Sequence, residues 1–378
     1  MDRPDSFFMK KLLCFIYTFI GISYCFGQYR MTKTVVDSST NQAIPFANVT
    51  LTKNQHIGTI TNEDGLFTLY LENRSDSIEV SHVGYNKIRL TLNYGGDTIR
   101  LNSFTTVLDE VTISSMSAIQ VVVKTIENLE SNHSVEPVTY KAFVRIVEYP
   151  QDTSEIHIFE EHSIIIHQTK DSNSKFKIEK TRVNAFSDAG ERRLKDLRLI
   201  NMISVYADNI FKYQDDFLKR RKLKNYNYRF VENLVNDSSI YAIECRLKAD
   251  TSIILAKLFI DKKKFAVSKL TKYYKNEIGL YDFTDINFRQ HGDKWYLSNS
   301  IRHFKNSIYS RYNNKTNNYT DRVCSYTVTN ESNDFKDFKS TVNIFAEPIK
   351  RHKGNFDDEF WGKQNHLPIP SWIETRMR

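Results

Sequence analysis

The sequence predicts a mainly β protein, α+β in class, built of two units: a small antiparallel β-sandwich followed by a large curved antiparallel sheet with inserted helices. Three observations predict it. Short strand-like runs broken by turn residues fill 28–115, and much longer alternating runs fill 136–347. The apolar spacing turns helical in a linker at 116–135 and again near 188–224, leaving 348–378 as a C-terminal tail. With 40% hydrophobic and 26% charged residues, and only 12 Gly and 7 Pro among 378, disorder and low-complexity architectures are excluded.

Residues 1–27 read as a signal peptide. Met9-Lys10-Lys11 is a charged start, Leu12 to Ile20 an apolar run, and Gly27 a small residue before the cut at Gln28. The run is shorter than the ~20 residues of a spanning helix, so no mature transmembrane helix is expected. Lipidation at Cys25 is an open alternative, although bulky Tyr24 stands where a small residue belongs.

In the first unit the expected strands are Arg30 to Val36, Ala47 to Lys53, His56 to Ile60, Leu66 to Leu71, Ser77 to Val83, Lys87 to Leu92, Asp97 to Leu101 and Glu110 to Ile113. Asn62-Glu63-Asp64-Gly65 supplies a tight turn, with Gly65 free to take a positive φ, and Gly84-Tyr85 closes another. The blocks VVDSSTNQAIPFANVTL (35–51), GTITNEDGLFTL (58–69), DSIEVSHVGYNKIRLTL (76–92) and LDEVTI (108–113) resemble the carboxypeptidase-regulatory-like domain. That resemblance implies a transthyretin-like sandwich of seven or eight strands, an accessory module of Gram-negative envelope proteins with no chemistry of its own. The family also stands ahead of outer-membrane TonB-dependent receptors. The part after 115 lacks serial barrel-strand patterning, so such a receptor is not expected.

The linker puts Ile119, Val122, Val123, Ile126 and Leu129 at helical spacing before Glu136-Pro137. Long strands are then expected at Thr139–Glu148, Glu155–Gln168, Lys175–Val183, Tyr226–Val235, Ser239–Leu247, Ile253–Asp261, Phe265–Tyr274, Leu280–Arg289, Lys294–Lys305, Tyr319–Thr329 and Ser340–Ala346. Asp188 with Glu191, then Leu194, Leu197 and Ile200, predicts the helical insertion. The cadence from Tyr228 to Asn306, each hairpin ending in charge, resembles the half-barrel of periplasmic lipoprotein carriers (LolA/LolB-like), which implies a bent sheet over an apolar cavity. Trp361, Leu367, Ile369 and Trp372 predict that the tail packs on its own sheet or on a neighbour.

Charge and chemistry narrow the function. The chain carries 53 Lys+Arg against 45 Asp+Glu, yet residues 29–115 have seven basic and nine acidic groups, so the excess belongs to the second unit. It peaks at Lys219-Arg220-Arg221-Lys222-x-Lys224 and Lys262-Lys263-Lys264, either a solvated face or a surface for anionic lipid or glycan; export argues against nucleic acid. Cys245 and Cys324 either bridge or remain two buried thiols. His157-x-x-Glu160 with His291 or His303 is the nearest approach to a zinc peptidase, but residues three apart on a strand face opposite ways. His157, Glu161 and His162 miss the inverzincin spacing, and His157, His162 and His167 alternate faces. Glu160/Glu161 and Asp357/Asp358/Glu359 are acids of the kind that solvate surfaces, and no nucleophile elbow or phosphate loop is present. The 25 Phe, 21 Tyr and 3 Trp, as in Tyr281-x-Phe283 and Trp295-Tyr296, are read mainly as core, the remainder as pocket lining for lipid or sugar.

The expectation is therefore a non-catalytic exported envelope protein, a binding or assembly module at the periplasmic side of the outer membrane. No catalytic, metal or cofactor residues are assigned, and the partner is an envelope protein, glycan or lipid, with peripheral membrane association allowed. A carrier of lipid or another hydrophobic ligand is the alternative, and a glycan- or peptide-acting enzyme the second.

Overall fold

A computed structural model of the chain describes residues 29–71, 76–91, 95–103, 116–134, 137–150, 155–168, 175–187, 216–231, 239–251, 254–275, 281–308, 318–332, 361 and 367–377. The expected signal peptide with Cys25, the strands at Glu110–Ile113 and Ser340–Ala346, the Asp188–Glu191 cap and Asp357/Asp358/Glu359 lie outside these residues.

The first unit is a sandwich of two sheets. Strands β1 (Tyr29–Asp37), β4 (Leu66–Leu71) and β7 (Thr98–Leu101) form one, in the order β4-β1-β7. The other is β3-β2-β5-β6, from β2 (Asn48–Leu51), β3 (Gly58–Ile60), β5 (Ser77–Ser81) and β6 (Ile88–Thr91). Their alternating inward residues meet in one core: Val35, Phe67, Leu69 and Ile99 from the first sheet pack on Val49, Ile78 and Val80 from the second. The Asn62 turn forms as its residues dictate. Asn62 Oδ1 accepts from the backbone N–H of Asp64 and Leu66 at 3.0 and 2.9 Å. Gly65 takes φ 73°, where a Cβ would also lie 2.5 Å from the Val35 carbonyl oxygen.

Helix α1 (Ala118–Glu127) and the single turn α2 (Leu129–Asn132) follow. The buried stripe of α1 is Ala118, Val121, Val122 and Thr125, while Ile119 is 41% exposed. Of the expected face, Val122 and Leu129 are buried and Val123 and Ile126 pack against the same core, while Ile119 turns outward and i, i+3, i+4, i+7 from Ala118 forms the most deeply buried line.

The second unit is one ten-stranded antiparallel sheet in the order β10-β9-β8-β17-β16-β15-β14-β13-β12-β11. Its strands are β8 (Val138–Pro150), β9 (Ile158–Gln168), β10 (Lys175–Ala185), β11 (Tyr226–Phe230), β12 (Ile240–Leu247), β13 (Ile254–Asp261), β14 (Val267–Lys275), β15 (Tyr281–His291), β16 (Lys294–Ile308) and β17 (Asn318–Ser332). Two meanders, β8 to β10 and β11 to β17, are joined where β17 pairs with β8. The 3-10 turns Asp216–Leu218 and Arg220–Asn225 precede β11, and helix α3 (Ser371–Met377) ends the chain.

The expected curvature is not there. The sheet is flat and open, with β10 and β11 as its edges, so it is neither a curved sheet nor a half-barrel. The reason lies in what covers it. A half-barrel bends one face around a cavity, whereas here β8 and β9 are buried on both faces: β8 is buried without a break from Ala142 to Glu148, and β9 from Ile158 to Ile164. On one face Val144, Ile146, Ile164, Ile260 and Leu270 pack under Val121, Val122 and Leu129 of the helices and Leu218 of the 3-10 turn. On the other, Phe143, Val147 and Phe159 pack under Trp361, Leu367 and Ile373 of the tail and Ile60 of the sandwich. Among the alternatives for the tail, its own sheet is the one realised.

The cysteine question is settled by strand order. Cys245 on β12 and Cys324 on β17 are both buried thiols, and neither is in a disulfide. Five strand steps of ~4.8 Å separate them, roughly 24 Å, against a Cα limit of about 7 Å for a bridge. Burial pushes the Cys245 thiol up to about 12. We expect neither thiol to react with a disulfide reagent in the native chain and both to react on unfolding without reductant; a need for reductant would contradict this placement.

Candidate functional site

The sandwich and the sheet meet along β3 and the ends of β15 to β17. Ile57 bridges Asn330, and the hydroxyl of Ser298 donates to Asn48 Oδ1. Gly58 makes the approach possible: a Cβ there would lie 2.6 Å from the Val49 carbonyl oxygen and 3.1 Å from Arg289 Nη1. Beside this seam lies a cleft of about 550 Å³ with walls from both units. Asn48, Thr50, Glu79, His82, Tyr85 and Lys87 come from the sandwich; Asp261, Ser268, Phe288, Arg289, Gln290 and Trp295 come from the sheet.

The lining is mixed. Glu79 is spoken for by Arg89 at 2.9 Å and Lys87 at 3.5 Å, and Asp261 caps the β13–β14 turn by accepting from the Lys263 and Lys264 N–H groups. His82 stands edge-on to Tyr85, with ring centroids 5.5 Å apart; burial, then the charge of Lys269, lowers it to about 4, so the ring is neutral. Within the lining, Trp295 Nε1 and Arg289 Nε are buried atoms with no acceptor among the described residues.

Next to the cleft, at residues adjoining its lining Gln55, Gln290 and Gly292, three side chains from distant segments converge. His56 Nδ1 lies 3.1 Å from Glu331 Oε1, and His56 and His291 have ring centroids 3.8 Å apart. Arg289 sits behind Glu331 at 3.4 Å and donates to the His56 carbonyl oxygen at 3.2 Å. Burial, and then the neighbouring His56, lower His291.

The residues singled out in the sequence fall elsewhere, apart from His291. His157 lies just ahead of β9, and the register confirms that Glu160 and His162 share one face while Glu161 takes the other. Glu160 Oε2 and His162 Nε2 are 3.2 Å apart, fully buried. His167 meets the Thr139 hydroxyl, and His303 stacks on Phe283 with centroids 4.3 Å apart. His291 is therefore no partner of His157. The aromatic pair Trp295-Tyr296 packs against the main core, with Trp295 also reaching the cleft. The two basic runs sit at opposite ends of the β11–β12 edge. Lys219 and Lys222 pair with Asp216, Arg220 with Glu127 and Lys264 with Asp293, so they form no single patch.

Sequence reasoning missed His56, Arg289, Glu331 and Tyr85 because the seam joins segments 275 residues apart. The one local signal was a histidine in each of two tight turns, at His56 and His291-Gly292.

Residues 33–128 match the CarboxypepD_reg-like domain family. The match covers the sandwich and runs through α1; the CarboxypepD_reg-like domain is a non-catalytic regulatory or structural module. No curated protein matches the chain. Among solved structures, a domain provisionally assigned to an outer membrane lipoprotein-sorting protein from Vibrio parahaemolyticus aligns over 57% of this chain and 91% of its own, at 9% identity and TM-score 0.25. Lipovitellin aligns over 55% and 26%, at 7% identity and TM-score 0.30. The MucA/MucB complex of Pseudomonas aeruginosa aligns over 56% and 93%, at 8% identity and TM-score 0.13. Scores this low establish neither a shared fold nor a shared function. No helix among the described residues is long and apolar enough to cross a membrane.

Proposed function

We propose that this chain is an exported, non-catalytic envelope protein of a Gram-negative bacterium, and that it binds a segment of another envelope protein in the cleft between sandwich and sheet. The observation that carries this reading is the cleft itself: its walls come from both units, and the side-chain amides of Asn48 and Gln290 line it together with the rings of Tyr85 and Phe288. An extended peptide offers backbone groups to those amides and side chains to Tyr85 and Phe288. Export rests on the charged and apolar start of the sequence. The non-catalytic character of the matched domain supports a recognition role over a reaction.

The test is site-specific photocrosslinking in the source cells. A photoreactive residue at Lys87, on the cleft rim, is expected to give a discrete protein adduct, and one at Phe186, exposed beyond β10, to give none. Equal labelling at both positions, or no protein adduct at Lys87, would sink the proposal.

A further inference from the structure

We propose that His56, His291 and Glu331 form a zinc-class metal site that fastens the sandwich to the sheet. His56 comes from the β2–β3 turn, His291 from the β15–β16 hairpin and Glu331 from the end of β17, so a bound ion would join the two units directly. One ligand atom from each lies within 4.8 Å of the other two. In a tetrahedral site with bonds of about 2.0–2.1 Å, neighbouring ligand atoms stand roughly 3.3 Å apart. The His56–Glu331 pair, at 3.1 Å, already has that spacing. His291 needs a shift of at most ~1.5 Å to reach it. Its hairpin has room for one: Gly292, the next residue, has φ 58° and open space around it.

The support around the ligands is built. Glu331 has a side chain only 1% exposed, and its backbone N–H donates to the His56 carbonyl oxygen at 3.3 Å. Arg289 ion-pairs with the far oxygen, Oε2, and holds the His56 carbonyl, leaving Oε1 turned toward the imidazoles. Such outer partners fix the orientation of ligating groups. His56 is 35% exposed and provides the way in for an ion. Two imidazoles and one carboxylate suit zinc and its neighbours, whereas calcium and magnesium prefer oxygen ligands throughout. Three protein ligands leave a fourth position for water or a partner's group. The competing account is a plain His–Glu latch without metal.

The experiment uses the full chain, stripped with chelator and titrated with Co2+, then Zn2+. The proposal expects one Co2+ per chain with the visible absorption of a low-coordinate site, displaced by Zn2+, and a higher unfolding temperature with zinc. His56→Ala, His291→Ala and Glu331→Gln should each weaken binding by more than the roughly 10–100-fold that outer-partner changes cost. His303→Ala, on the sheet away from the seam, should bind as the parent does. His56→Ala alters a half-exposed turn side chain and keeps the test valid if Glu331→Gln fails to fold. Absence of stoichiometric binding, or unchanged binding in the His56→Ala/His291→Ala double variant, overturns the site and favours the latch.

Discussion

Glu161→Ala is expected to lower the unfolding free energy by about 3–5 kcal/mol, because it leaves two buried guanidinium groups without their shared carboxylate. Glu161 is fully buried on β9 between Arg145 of β8 and Arg182 of β10, which are themselves 3–4% exposed. Arg145 Nε donates to Glu161 Oε1 at 2.8 Å, and Arg182 Nε to Oε2 at 2.5 Å. The same arginines hold the tail: Arg145 donates to the carbonyl oxygens of Leu367 and Pro368, and the Trp361 ring covers the Arg182 guanidinium at 4.6 Å. Asn62 also donates to the Pro368 carbonyl oxygen, so one short stretch of tail ties the sheet to the sandwich. Urea unfolding measures the loss, and amide exchange over 367–377 should accelerate with it. A change smaller than about 0.5 kcal/mol would mean that the triad contributes no net stability.

Acid should destabilise the fold through neutral buried histidines. His133, beside α2, accepts the Val267 N–H at Nε2 and stands edge-on to Phe288, with centroids 5.0 Å apart. Burial, then the positive charge of Lys294, holds it at about 3 against an ordinary value of 6.5. His82 is held at about 4 in the same way, with Lys269 as the nearby charge. Between these values and 6.5 the unfolded chain takes up protons that the folded chain refuses. Stability is therefore complete above 6.5 and is lost as pH falls through the window, by about 2.7 kcal/mol per pH unit while both rings contribute. Burial lowers His291 and His303 too, which adds in the same direction. His133→Gln, which can still accept from Val267, should remove one proton's share of the slope in a denaturant-midpoint profile. Identical profiles for parent and variant would remove His133 from the account.

How much of this was legible beforehand follows from the range of each interaction. The Asn62 turn and Gly65 were readable because an Asx turn is closed by the next four residues. That His162 and His167 face opposite ways was readable because strand parity is a property of the chain itself. The helix after the sandwich was placed correctly, and of its expected stripe Val122, Val123, Ile126 and Leu129 meet the core; Ile119 does not, because the sheet beneath takes the side of the helix that carries Ala118, Val121 and Thr125. His56 and Glu331 carried no mark that they would meet, and neither lies in a motif.

The sequence by itself determined a β-rich chain with a small sandwich ahead of long strands, together with the turn chemistry that punctuates them, because those depend on period and on neighbours a few residues away. Tertiary structure alone decided that the large sheet is flat, that the two cysteines stand far apart and that a cleft and the His56–His291–Glu331 cluster lie between the units. Each of these depends on which layers cover which face, and alternation along a strand says which residues share a face but not what will lie against it.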